Sequence, residues 1–441
     1  MANYNSTTRL LMSAVHLYPD DFKEDIKERL EHPYKAPTPE FGIDLDKIRE
    51  ELDNSKGDYF KKSTFLFIVV LVALFILFQD IENNWGILIL AFFLTFLAEL
   101  IYLRTASKKV RKIMNIEGDN CHFDEDSSKN IIISGGYYPF VGSGWGLNSW
   151  SFTVDLSQPE NKEKPVNNIN VTELYNKIEV NLKKLNIEGL LLKDKLLVNG
   201  MDVNIVSHLL TNGRFSKPVD TIDSNYVKTK INENDKSVRY YKAVYIPIWE
   251  GKLFLHLYYR FMIVNGSLFT EAKFFSIPPL KQKYRDIENI PIIPTKREFI
   301  EHIYKSLFTG AFSWIAVYVN VFAFVQGGFM AKNSRLKAWK REVETTRLYN
   351  YGWNISLREK WSENTYERYF QQVDRDFMLK ILTNEVIKNL QHFLSENNIA
   401  TDQFKETTTK IVNEGIMIYG GQVQADSLAA GKGAIINNKK G

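Results

Sequence analysis

Two stretches early in the chain carry almost no polar side chains. Ser63–Phe78 reads STFLFIVVLVALFILF without a charge, and Trp85–Leu103 reads WGILILAFFLTFLAELIYL with Glu99 as its single charge. A bilayer core takes about 20 residues of helix, with a range down to about 17, so each stretch spans or nearly spans one. Both begin too late to be a cleavable signal peptide. The pattern predicts a permanent transmembrane helical hairpin.

Flanking charge sets its orientation. Lys61 and Lys62 precede the first span, and Arg104, Lys108, Lys109, Arg111 and Lys112 follow the second. The connecting loop Gln79–Asn84 holds Asp80 and Glu82 and no Lys or Arg. Cations stay on the cytoplasmic side, so both termini are expected in the cytoplasm. Trp85 and Tyr102 stand at the two ends of the second span, where interfacial aromatics belong.

The periodicity after the hairpin predicts a cytosolic α+β body. Asn130–Ser134 is a β-branched run that ends in Gly135-Gly136. Trp150, Phe152 and Val154 alternate as a strand does, and Gly142, Ser143 and Gly144 lie in the loop before them. Val171–Leu185 has helical spacing. Val238–Ile248, Leu253–Val264 and Leu268–Ile277 are rich in Tyr, Phe, Val and Ile, with Glu250-Gly251 and Asn265-Gly266 between them. Asn-Gly between strand residues is a hairpin signal, so these form an antiparallel meander. Tyr366–Leu394 is a long amphipathic helix ended by Asn397-Asn398, and Thr401 caps a further helix to about Val412.

The expected divisions are a cytosolic N-terminal arm (1–60) with two short helices, Asp20–His32 and Asp44–Asp53, and the hairpin (61–112). A cytosolic α+β domain (113–300), an apolar helix with a basic flank (301–348), C-terminal helices (349–414) and a glycine-rich β tail (415–441) follow. The arm is either a pair of surface helices or a partner-binding element. Ser306–Ala331 is uncharged and long enough to span, yet Lys332, Arg335, Lys337, Lys340 and Arg341 follow it directly. Export of that basic run would break the charge rule, so the segment is expected to stay on the cytoplasmic side, docked on the inner leaflet or buried.

Composition narrows the chemistry. The 441 residues carry a net charge of +4 and one cysteine, Cys121. A disulfide framework within the chain is excluded, and charge alone gives no warrant for nucleic acid. Among the seven histidines, Cys121-His122 with Asp124, Glu125 and Asp126 is the nearest approach to a metal set, and its adjacent residues read better as a solvated acidic loop. No nucleophile elbow, kinase signature or phosphate-binding loop occurs. The expectation is therefore a protein that is not an enzyme, with no metal and no cofactor. Gly142, Ser143 and Gly144 are a weak ligand-loop candidate, because a strand rather than a helix follows them.

Glu99 is the residue to watch. A carboxylate in an apolar span faces a bundle interior or water, and one per subunit of an oligomer makes a cation-selective ring. Glu99 and Thr95 are the pore candidates. The alternative is a carboxylate that snorkels to the nearby interface, toward Arg104.

The stretch from Ile131 to Phe152, with Tyr138-Pro139-Phe140-Val141-Gly142-Ser143-Gly144 and Trp150-Ser151-Phe152, resembles bacterial two-span membrane proteins that carry a Y-x-P-F-V-G-S-G motif. The overall plan resembles membrane effectors of anti-phage systems of the Hailong type. That resemblance implies a homo-oligomeric channel or membrane-disrupting effector in contact with the lipid bilayer, gated by its cytosolic body through a nucleotide or oligonucleotide ligand. A non-conducting scaffold or adaptor on the same anchor is the alternative. The resemblance carries over no functional residues.

Overall fold

The computed structural model describes residues 6–79, 85–115, 129–206, 208–309, 329–402, 404 and 408. In chain order the helices are α1 (Ser6–Leu17), α2 (Pro19–Glu31), α3 (Leu45–Gln79), α4 (Trp85–Met114), α5 (Val171–Lys184), α6 (Ser224–Thr229), α7 (Gln282–Arg285), α8 (296–309), α9 (Phe329–Thr345), α10 (Leu357–Lys360) and α11 (Tyr369–Glu396). The strands are β1 (Ile131–Ser134), β2 (Trp145–Asp155), β3 (Leu191–Asn199), β4 (Val238–Ile248), β5 (Leu253–Val264) and β6 (Ser267–Ile277). The architecture is α+β with a mixed sheet.

The chain divides into two compact units that interleave in sequence. The first comprises Met1–Pro33, Gly42–Cys121 and Lys281–Arg347; the second comprises Tyr34–Phe41, His122–Leu280 and Leu348–Gly441.

The first unit is helical. The N-terminal arm differs from two short surface helices. It opens with α1, where Leu10, Leu11, Ala14 and Val15 recur at one helical face and are fully buried. The second expected helix is the start of α3, which runs unbroken through residue 60 and carries Ser63–Phe78 in its later half. Among the described residues one helix, Ile89–Met114 within α4, is long and apolar enough to cross a membrane, with mean hydropathy 1.7 and 22% of its most apolar stretch buried. Most of Ser306–Ala331, the acidic loop around Cys121 and the glycine-rich tail lie outside the described residues.

The second unit is built on a six-stranded sheet of order β1-β3-β4-β5-β6-β2. The expected meander forms: β4, β5 and β6 pair antiparallel. Asn265 (φ 49°) and Gly266 (φ 76°) make the two-residue turn, with Val264 opposite Ser267. Two positive φ values match the twist of the flanking strands, which is why Asn-Gly closes so many hairpins. Strand β3, whose Lys193-Asp194-Lys195 centre hides its alternation, was not foreseen. It links β1 in parallel to β4 antiparallel and so turns a meander into a mixed sheet.

Strand β5 is buried on both faces from Leu253 to Met262. On one face Tyr175 of α5 stacks with Tyr259 and packs edge-on against Tyr240. The lower half of α11 (Leu382, Val386, Leu390) is buried, while Phe370, Val373 and Phe377, expected on the same apolar stripe, are exposed. The other face is covered by irregular chain. Phe41 and Phe140 pack with Tyr241, Tyr245, Phe254 and Tyr258 in one core cluster.

His256 lies in that core, its ring 4.3 Å from Phe41 and 5.0 Å from Tyr245. Burial pushes its imidazole down to about 3, and the Lys195 charge adds to the effect. The folded value lies below the ordinary 6.5, so between those two values the unfolded chain binds a proton that the folded chain refuses. Stability from this group is whole above about 6.5 and declines as pH falls toward 3, by up to about 1.4 kcal/mol per pH unit. The melting temperature is expected to drop between pH 7 and pH 4.5, and His256→Leu to flatten that drop. Parallel slopes for the two proteins in calorimetry count against a neutral buried His256.

Candidate functional site

Helices α3 and α4 of the first unit meet through a ladder of charged pairs. Asp58 Oδ2 accepts from Lys109 Nζ at 2.6 Å, and Lys62 Nζ donates to both oxygens of Glu99 at 3.1 Å. The Lys62 ammonium sits over the rings of Tyr59 and Tyr102, at 4.8 and 4.3 Å. About two turns before Asp58 on α3, Glu51 binds His16 of α1 at 2.9 Å, and this bond holds its carboxyl below the usual carboxylate range. The Glu99 side chain is only 8% exposed and that of Lys62 12%. Thr95 is buried and its hydroxyl donates to Phe92 O at 2.8 Å.

Both pore candidates thus lie on the inner side of α4, and the partner of Glu99 is Lys62 rather than Arg104. The guanidinium of Arg104 lies 5.0 Å from the ring of Phe299. Lys62 was noticed only as a flanking cation. The signal that finds the pair is the hairpin itself: residues at similar distances from the connecting loop face each other across two antiparallel helices.

In the second unit the glycine loop is an anion cradle, and it is filled from within. Gly142 (φ 85°) and Gly144 (φ 91°) take the left-handed backbone that favours glycine. A side chain at Gly144 would also collide with Ser276 O, 2.2 Å from an added Cβ. The two N–H groups converge on one carboxylate: Gly142 N donates to Glu359 Oε2 at 3.1 Å and Gly144 N to Glu359 Oε1 at 2.6 Å. Between them the Ser143 hydroxyl donates to Tyr258 OH at 2.8 Å.

Glu359 is held by its own helix. Ser356 caps α10, with Glu359 N donating to Ser356 Oγ and Ser356 N donating back to Glu359 Oε2. Glu40 accepts from Leu357 N and Arg358 N at 3.0 and 2.8 Å. The buried Arg358 donates to Lys252 O at 2.9 Å and bonds Ser362 Oγ. Two carboxylates therefore satisfy the loop and the first turn of α10, and the ligand-loop candidates Gly142, Ser143 and Gly144 already have internal partners. Glu359 and Glu40 were missed because they lie more than 200 and 300 residues from the groups they bind.

Among the described residues no cluster of His, Cys, Asp or Glu stands ready for a metal ion. The pattern is one of structural polar contacts. Tyr240 OH donates to Asp194, which also accepts from Lys242, and Tyr241 OH donates to Glu271.

Glu359→Ala leaves the N–H groups of the buried Gly142 and the half-buried Gly144 without this acceptor, at about 1–3 kcal/mol for a buried group and less for the other. Glu359→Gln keeps one acceptor oxygen and is expected to lose less. Denaturation midpoints and protease cleavage between residues 135 and 145 order the three proteins, and equal stability of Ala and Gln variants removes the internal-ligand role.

No curated protein and no solved structure matches the chain. The family comparison does give a match: the AbeC-like domain covers residues 149–424, from β2 through α5, the meander, α8, α9 and α11. The motif stretch Ile131–Phe152 lies mostly before it. With well over half of its length matched, the chain belongs to the AbeC-like family.

Proposed function

We propose that this protein is a membrane-anchored effector of abortive infection in which α3 and α4 form a two-span hairpin. The AbeC-like family suggests a role in anti-phage abortive infection. The membrane part of the proposal rests on one observation: the helix pair is inverted. Phe65, Ile68, Leu71, Val72 and Phe75 of α3 are exposed, as are Ile89, Leu90, Phe93 and Ile101 of α4. The buried positions are mostly small or polar, Ser63, Ala73, Ala91, Thr95 and Glu99, with Leu66 and Val70 of α3 beside them. Water penalises such a surface by roughly 25 cal/mol per Å² of apolar area, while lipid accepts it. Small inward residues also allow close helix approach, as membrane packing favours.

The effector reading continues in the same direction. Homo-oligomers of the hairpin in the inner membrane, with both termini cytoplasmic, permeabilise the infected cell, and the second unit controls the step. The chain's own residues take no catalytic part. In each subunit the Lys62–Glu99 pair fastens the two helices near the cytoplasmic edge, and opening a path for cations requires that pair to exchange partners or to contact water.

Overproduction of the full chain is expected to depolarise the host, read with a potential-sensitive dye. Normal potential in cells with abundant, inserted, oligomeric protein removes the channel and leaves a scaffold.

The pair itself gives a separate prediction. Breaking a buried ion pair from one side costs about 3–5 kcal/mol, whereas replacing both partners is far milder. Lys62→Met is therefore expected to lower the melting temperature in detergent sharply, and Lys62→Met combined with Glu99→Gln to recover most of it. Additive losses in the double variant mean that the two groups do not interact.

A further inference from the structure

Helix α8 has its polarity inside out. Its protein-facing side is polar. Glu298 bonds Arg111 of α4, His302 Nε2 lies 3.3 Å from Ser107 Oγ, and the Ser306 hydroxyl is fully buried and donates to His302 O at 2.7 Å. These three residues recur every four positions and so form one stripe. Their order against α4, with 298 at 111 and 302 at 107, makes the two helices antiparallel. The opposite side is apolar and exposed: Ile300 is 51% and Tyr304 70% exposed, and Phe299 and Leu307 are exposed beside them. A water-facing helix of a soluble protein shows the reverse arrangement.

We infer that the outer face of α8 rests in the cytoplasmic headgroup layer of the membrane, as a second lipid-contact element beside the hairpin. The inference rests on the membrane reading of α4 above. Continuity supports it. At 1.5 Å per residue, Ser107 lies only about 9 Å along α4 from Ile101, the last exposed apolar residue of that helix. The His302–Ser107 contact therefore sets the middle of α8 at the level where hydrocarbon gives way to headgroups, and Tyr304 and Leu307 are nearer the core. An amphipathic tyrosine suits that depth.

Charge decides between lipid and a second copy as the occupant. Arg104, Lys108 and Lys112 form an exposed stripe along α4, and Lys296, Arg297 and Lys305 fringe α8. Six cations around an apolar face match an anionic leaflet, at about 1 kcal/mol per basic residue near the surface. Two copies meeting through this face would set those cations against one another.

The test uses the full chain in vesicles of phosphatidylcholine and phosphatidylglycerol, with Cys121→Ser as background and an environment-sensitive fluorophore on single cysteines. Ile300→Cys and Tyr304→Cys are expected to emit blue-shifted light and to be quenched by headgroup-level nitroxide lipids. Ile89→Cys should be quenched by deep nitroxides, and Lys184→Cys in the second unit should be quenched by neither. Quenching at Ile89→Cys alone overturns the α8 inference and leaves the anchored reading intact. Absence of quenching at all sites overturns both. Disulfide cross-linking between two Tyr304→Cys chains, with no quenching there, assigns the face to a second copy and also overturns the inference.

Discussion

Inward pairing of charge is the interaction on which the first unit depends. Helices α3 and α4 turn most of their bulky apolar side chains outward, so little of the ordinary hydrophobic effect holds their outer halves together. What remains is Leu66 and Val70 packed with small residues, and the pairs Asp58–Lys109 and Lys62–Glu99. A charged pair at a low-dielectric edge is expensive to separate, because each partner alone would be a desolvated ion. The tyrosines at 59 and 102 strengthen the arrangement by offering ring faces to the ammonium. The same rule extends to α8, whose Glu298 and His302 face α4 while its aromatic and aliphatic residues face away.

The second unit solves a different problem with the same means. Its sheet has a helical cover on one face only. The other face is roofed by irregular chain, and irregular chain carries backbone groups that need partners. Glu359 supplies acceptors to Gly142 and Gly144, Glu40 supplies them to the first turn of α10, and Arg358 donates to Lys252 O. The glycines allow the loop to approach closely enough for this. Further along, a Cβ on Gly352 would lie 2.2 Å from the Ser134 carbonyl carbon, so at that point the strand end and the 350–353 segment meet backbone to backbone.

What was legible in the sequence follows from how local the signals are. The meander could be read to within a residue because β-branched and aromatic runs end at Asn-Gly, a turn that two adjacent residues determine. Helices α5 and α11 were visible from periodicity. Strand β3 was not, because Lys195 at its centre is buried with its ammonium on Lys129 O rather than by apolar character. Helix α1 was not, since polar residues interrupt STTRLLMSAVHL at half its positions, and Thr7, Thr8, Ser13 and His16 are buried together with the apolar ones. Glu99 drew attention as a lone charge in an apolar run, while its partner and the Glu359 contact depend on tertiary proximity that no local pattern encodes.

The extent of the family match bears on how the two units work together. Residues 149–424 omit α3 and α4 but include 281–347, the stretch that returns to the helical unit as α7, α8 and α9. The chain crosses from the sheet unit into the helical unit at Leu280 and back at Leu348. It also crosses at Pro33–Tyr34, Phe41–Gly42 and Cys121–His122, so the two units are joined covalently at five points. Leu280 bridges to Ser362 and Glu363 N donates to Pro279 O, so the end of the sheet segment is tied to the chain just after α10. The matched stretch thus has sheet-unit chain on both sides of α8 and α9, so the family match spans both units rather than one.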